Sequence, residues 1–349
     1  QIIFKGFLMQ SLLFAPLKIG DLQIKNRIVM PPMCMYKAKN ENGCPRCFHR
    51  LHYAARALGG VGLIIVEATA VEPRGRITSR DLGLWNDEQL EAHARLVKEC
   101  VKYGAVMAVQ LAHAGRKSEC EDLIAPSAVK FSESYKTPRQ MSAEDIVSVK
   151  QSFVQAAIRA ERAGYSATEI HAAHGYLISE FLSPEINLRD DEYGGSFENR
   201  TSFLKEILSE VKAAVQIPVG VRISADSWVK GDWSLEDSVR LAKELEALGT
   251  AFIHVSAGGF FERTDSAPAF TPLYQAGYAK AVKQAVSIPV IAVGLITKAS
   301  EGEALLLGGV CDAVAYGREL LRNPNFVQAA MSELGYSELI ENSYKRAFK

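Results

Sequence analysis

The chain has 349 residues, 48% of them hydrophobic, with 40 acidic and 40 basic side chains and hence no formal net charge. Such content supports a large core, the lack of a basic block argues against nucleic acid as the partner, and no apolar run reaches the 18 residues of a membrane span. Six cysteines, at 34, 44, 47, 100, 120 and 311, are scattered and follow no secretion signal, which reads as a reduced, cytoplasmic protein. Met9 is the expected natural start, with residues 1–8 a tag or upstream extension.

Strand-like and helix-like segments alternate along the chain. Short β-branched runs predict strands over Arg27–Pro32, Gly62–Val71, Ala105–His113, Ala167–His171, Val219–Ser224, Phe252–Ala257, Val290–Gly294 and Ala313–Tyr316. Amphipathic spacing predicts helices over Asp87–Tyr103, from the Ser142 cap to a stop at Gly164, and over Ser196–Val215, Leu235–Leu248 and Lys298–Leu307. Eight strands with intervening helices and no long linker imply an α/β fold of one domain over 1–349, a (β/α)8 TIM barrel with capping excursions at the C-terminal face of the strands. A doubly wound sheet is the rival, disfavoured by the count of eight and by the missing G-x-G-x-x-G turn after the first strand. The excursions are residues 114–141 and 175–200, which hang over the carboxyl ends of strands three and four.

Polar residues gather at those strand ends. The sharpest group is His171-Ala-Ala-His174-Gly-Tyr176. In a continuing strand, residues three apart face opposite sides, so the two imidazoles converge only if the strand ends between them, as Gly175 implies. Two hydrogen-bond donors beside a phenol suit a site that polarises an oxygen and protonates an adjacent atom. Glycines after strands seven and eight, Gly294 and Gly317, with Arg318 beside them, form an anion seat. Arg222, a charge inside an apolar strand, needs an electron-rich partner. With Gln110, which can pair with a pyrimidine edge, these residues fit flavin mononucleotide (FMN).

Five stretches carry a family resemblance. They are Asn26-Arg-Ile-Val-Met-Pro-Pro-Met-Cys34-Met-Tyr36, Gln110-Leu-Ala-His-Ala-Gly-Arg-Lys117, the segment from Glu169 through Tyr176 to Pro184, Asp191-Glu-Tyr-Gly-Gly-Ser-Phe-Glu-Asn-Arg200, and Gly317-Arg-Glu-Leu-Leu-Arg-Asn-Pro324. In this order, from about Phe14 to the C-terminus, they resemble the old yellow enzyme family in its thermophilic-like branch. The resemblance implies an FMN-dependent ene-reductase, with FMN held non-covalently and reduced by NADPH or NADH. His171 and His174 would hold the carbonyl oxygen of an enone or enal. Hydride would pass from FMN N5 to the β-carbon, and Tyr176 would protonate the α-carbon. Tyr36 and Lys117 would line the substrate site. Cys34 would tune the flavin, Gln110, His171 and Arg222 would bind it, and Pro32, Met33 and Ala68 would contact it. Gly294, Gly317 and Arg318 would hold its phosphate. The tail, residues 340–349, resembles one that places an arginine, here Arg346, in a neighbouring subunit's site, implying a homodimer or homotetramer.

Other readings stay beside this one. His-x-x-His also suits zinc, but no third ligand stands at a metal spacing, so no metal is expected. Cys44-Pro-Arg-Cys47, before His49 and His52, departs from the family pattern. It reads as two surface cysteines in a loop, with a redox couple or half a zinc site as alternatives. Pro31 replaces a usual small residue and removes a backbone donor, and Arg116 reads as solvated. A nitroester or nitro-compound reductase, a flavin redox sensor switched by Cys44 and Cys47, and a flavin-free phosphate-binding isomerase are the competing functions.

Overall fold

The computed structural model describes residues 11–39 and 41–348. The expected extension, residues 1–8, and Met9 lie outside them. Eight strands pair in parallel and in sequence order: β1 Ile28–Met30, β2 Leu63–Ala70, β3 Val106–Ala112, β4 Ala167–Ala172, β5 Val219–Ser224, β6 Ile253–Ser256, β7 Val290–Ala292 and β8 Ala313–Ala315. β8 pairs with β1 through Val314 and Ile28, closing the barrel. All eight predicted strands are present, most of them shortened by a residue or two at their ends.

Eight longer helices surround the strands: α1 Cys47–Leu58, α2 Asp87–Val101, α3 Ala143–Arg162, α4 Phe197–Ala214, α5 Leu235–Ala247, α6 Ala276–Ala285, α7 Ala299–Leu307 and α8 Phe326–Glu333. The α2, α3 and α5 N-termini carry reciprocal capping boxes from Asn86, Ser142 and Ser234, while Ser196 caps α4 through its hydroxyl.

Strand alternation divides the apolar residues in two. Val109, Ile170, Val221, Val255 and Val314 face the helices, whereas Val29, Leu63, Ile65, Ala108, Ala167, Phe252, Ile291 and Ala313 fill the barrel interior. An antiparallel hairpin, Leu17–Ile19 with Leu22–Ile24, plugs the amino end by adding Ile19 and Ile24 to that inner cluster. The interior turns polar toward the carboxyl ends, and that polar layer is the floor of the candidate site.

Three expectations need correction. Cys44 and Cys47 do not share a loop: Cys47 opens α1, Cys44 is buried, Cys47 is exposed, and both thiols are free. The helix escaped notice because its buried face is polar. His49, His52 and Arg56 lie on it, and Arg56 is satisfied by the carbonyls of His52, Leu320 and Leu321. Arg116 is not solvated but only 1% exposed, donating to the carbonyl of Phe260 at 2.7 Å. The excursion after β4 is not all loop, since Leu177–Leu182 is helical.

Candidate active site

β4 ends at Ala172, and the chain then reverses through His174 and Gly175, with φ of 62° and 70°. This left-handed pair turns His174 back beside His171, with ring centroids 5.3 Å apart. Tyr176 stands 5.1 Å from the His171 ring. Gly259 approaches so closely that a Cβ there would lie 2.7 Å from the His174 Cα. The backbone N–H of His174 donates to Ser224 Oγ at 2.9 Å, and its Nε2 bonds Ser256 Oγ at 2.8 Å. Burial, reinforced by the charge of Arg222, holds both imidazoles well below their ordinary pKa, so both are neutral near pH 7. Burial raises the Tyr176 phenol, which therefore keeps its proton.

Lys117 braces this turn. Its Nζ donates to the carbonyls of His174 at 2.9 Å and Gly259 at 3.1 Å, and lies 4.9 Å from the Tyr176 ring centre. Burial pushes the amine down to about 8. Beneath it, Glu180 accepts the Arg116 backbone N–H at 2.8 Å while its Oε2 has no partner, and burial pushes this carboxyl up to about 8.

On the opposite side, the β2–β3 register shifts between Val66 and Thr69, and the irregularity frees Glu67 and Ala68 from regular pairing. Glu67 turns its carboxylate onto the segment after β1, accepting the Met35 N–H at 2.7 Å and the Tyr53 hydroxyl at 3.0 Å. That fixes Cys34 and Tyr36, whose φ is 53°. The Ala68 N–H meets the Cys34 thiol, yet burial and the nearby Glu67 keep this thiol well above its ordinary pKa. Pro32 and Met33 are half-buried, and Met33 Sδ lies 3.5 Å from where a Gly317 Cβ would be.

The floor is built from β3 to β6. Gln110 Nε2 donates to Glu169 Oε1 at 2.7 Å, and His254 Nδ1 bonds Glu169 Oε2 at 2.8 Å. Arg222 pairs in register with both His171 and His254, is 7% exposed, and has a buried Nε without a partner. A pocket of about 230 Å³ adjoins it, lined by Ser256, Gln275, Gly294, Gly317, Arg318 and Arg322 among others. Gly294 adopts φ 141°, which only glycine tolerates, and a Cβ there would strike Gln275. An orphaned guanidinium, a buried amide and a two-glycine cradle with arginines fit a group combining a phosphate and an electron-rich ring, as FMN does. Two larger depressions, of about 400 and 750 Å³, lie instead on the outer wall and the amino end, around α1, α2 and the tail.

The structure thus gathers the histidines, Tyr176, Lys117, Gln110, Arg222 and the glycine turns at one face. Arg346 is exposed in the tail and does not join them. Sequence reasoning assigned no role to Glu67, Glu169, His254, Ser256 or Gln275. The signal was polarity on apolar strands for the first four, as with Arg222.

A sequence profile described as the NADH:flavin oxidoreductase / NADH oxidase family matches residues 12–336. The chain is 45% identical over 337 residues to the NADPH dehydrogenase of Bacillus subtilis (strain 168), covering 96% of this chain and 99% of that protein. It resembles the structure of morphinone reductase in complex with tetrahydroNAD, with a TM-score of 0.80 and 30% identity, covering 93% of this chain and 91% of the other. The old yellow enzyme homologue from Zymomonas mobilis superposes with a TM-score of 0.80 at 29% identity, covering 92% of each chain. The chain belongs to the NADH:flavin oxidoreductase family, of old yellow enzyme type. It is a flavin-dependent oxidoreductase with FMN as cofactor and a nicotinamide as reductant.

Proposed function

We propose that the chain reduces the C=C bond of α,β-unsaturated carbonyl compounds. The observation that carries this reading is the neutral His171–His174 pair, 5.3 Å apart and 5.1 Å from a protonated Tyr176, above a buried Arg222. FMN, when bound, supplies the hydride. Gln110 and Arg222 hold the ring, Pro32, Met33, Cys34 and Ala68 line it, and Gly294, Gly317 and Arg318 hold the phosphate. His171 and His174 each donate an N–H to the carbonyl oxygen, drawing electron density from the alkene so that its far carbon becomes electrophilic. Tyr176 delivers its proton to the α-carbon, and Lys117 keeps the turn bearing both groups in place. Tyr36 closes the substrate side.

For His174 to donate, its free Nδ1 must carry the proton. That requires the Ser256 hydroxyl hydrogen to go to Nε2 across the 2.8 Å contact and not to Gln275 Oε1, which lies at 3.4 Å. The chain works as one FMN-binding unit in a homo-oligomer, with Arg346 reaching the neighbouring site. The test is anaerobic titration of the yellow protein with NADPH, followed by addition of cyclohexenone or of a nitroester. Faster reoxidation of the flavin by the enone supports the reading. Turnover of the nitroester alone would replace it.

A further inference from the structure

Glu169 is a carboxylate with no exposed surface in the middle of the barrel, and neither binding nor proton transfer as described above uses it. Its two oxygens each take one hydrogen bond, from Gln110 Nε2 at 2.7 Å and from His254 Nδ1 at 2.8 Å. The register explains the meeting. Gln110 pairs with Glu169 across β3 and β4, and Glu169 pairs with Gly220 on β5. Gly220 makes room for the Phe252 ring, since a Cβ there would lie 2.2 Å from it. One step up the same inward faces stand His171, Arg222 and His254, in register with one another.

A carboxylate accepts on both oxygens, whereas an amide accepts on one end and donates at the other. Because Glu169 accepts, Gln110 must present its nitrogen to it. The amide is thereby barred from turning over, and its remaining N–H and its carbonyl oxygen keep fixed places. The same bond places a proton on His254 Nδ1, leaving Nε2 a bare acceptor that is buried without a partner. Burial and the Arg222 charge hold that imidazole neutral. Glu169 is also the foremost negative charge acting on the Arg222 guanidinium.

We propose that Glu169 is a positioning residue for the flavin: it fixes the face that the Gln110 amide would show to the pyrimidine edge and offsets the charge that Arg222 would present to the ring. This rests on the reading that Gln110 and Arg222 face the flavin. A flipped Gln110 would set like groups against the flavin's own donor–acceptor pattern, and an uncompensated Arg222 would favour the anionic reduced cofactor over the neutral oxidised one.

The experiment uses the full chain, freed of and reloaded with FMN. It measures FMN dissociation by flavin fluorescence and the midpoint potential by dye equilibration. Gln110→Ala alone is expected to weaken FMN about tenfold, the loss of one to two buried hydrogen bonds. Glu169→Leu is expected to weaken FMN by a similar factor of about ten in the native background, but by less than about twofold when added to Gln110→Ala, because its effect runs through that amide. Glu169→Gln keeps one acceptor for Gln110 while His254 exchanges tautomer, so FMN affinity is expected to hold. Loss of the charge should shift the preference toward reduced cofactor about tenfold, an upward move of about 30 mV for a two-electron couple. If Gln110→Ala leaves FMN affinity unchanged, the underlying placement of the flavin fails. If Gln110→Ala acts but Glu169→Leu adds its full effect on top of it, or the potential of Glu169→Gln does not move, the positioning role is overturned. Should the leucine variant not fold, the Glu169→Gln potential decides alone.

Discussion

A neutral imidazole has one N–H, so the partner of one ring nitrogen decides what the other can do. In this chain that partner is Ser256 for His174. Ser256→Ala is expected to weaken phenol binding about three- to tenfold, the cost of one oriented hydrogen bond, and to weaken FMN by less than that. Titrating a phenol against the flavin's long-wavelength absorbance checks it. Tyr176→Phe addresses the proton. It should leave reduction of the flavin by NADPH within about threefold and slow reoxidation by cyclohexenone by about 10²- to 10⁴-fold, the range for a lost general acid. Stopped-flow measurement of the two half-reactions separates them, and equal slowing of both would contradict the role. At this scale the sequence was informative where chemistry had a local signature. The His171 to Tyr176 segment shows its own strand end, because Gly175 directly follows the two imidazoles that must converge. Ser256, Glu169 and His254 were visible as polar residues on apolar strands. Which of them meet depends on register between strands far apart in the chain, and one sequence does not contain it.

The irregular step in β2 works as an element rather than through any one side chain. It lets Glu67 leave the ladder and hold the backbone of Met35, and with it Cys34 and Tyr36. Burial pushes the Glu67 carboxyl up to about 7 from an ordinary 4.5. The folded protein therefore keeps a proton on this group between about pH 4.5 and 7 that the unfolded chain has lost. The resulting stabilisation is complete below 4.5 and disappears as pH rises through 7. Glu67→Gln removes that dependence, so its melting temperature should change less between pH 5 and 7.5 than that of the native chain, as read by thermal circular dichroism. A parallel fall in both proteins would show that Glu67 does not titrate in this window. Periodicity exposed the long helices because their buried faces are apolar. It missed α1, whose inner face carries His49, His52 and Arg56, and also α6 and α8, which at ten and eight residues repeat their apolar spacing too few times to stand out. It missed the irregularity at Glu67 as well, since a bulge is a relation between two strands.

Across the whole molecule, the interior is apolar at the amino end and polar at the carboxyl end, so the site can form at one face only. The tail ends at the other. Tyr344 lines a hollow with Lys25, Asn26, Gly60 and Tyr103, residues that precede β1, β2 and β3. Arg346 follows two residues later, a reach of about 7 Å of backbone. The eight residues of β2 alone span about 26 Å at 3.3 Å each. The arginine therefore does not reach the site of its own barrel, and the proposed contact with substrate would have to be made in another subunit's site. Arg346→Ala should raise the enone KM about three- to tenfold, as loss of one charged contact would, while kcat and FMN content hold. A mixed oligomer decides between subunits. In a Tyr176→Phe chain paired with an Arg346→Ala chain, an arginine acting between subunits gives one site with both an intact Tyr176 and an intact Arg346. Half the sites should then turn over with native KM, although each homo-oligomer is defective. If the mixed species shows only the raised KM of Arg346→Ala, the tail does not complete a neighbour's site. A native KM in the Arg346→Ala homo-oligomer would remove the arginine from the site altogether.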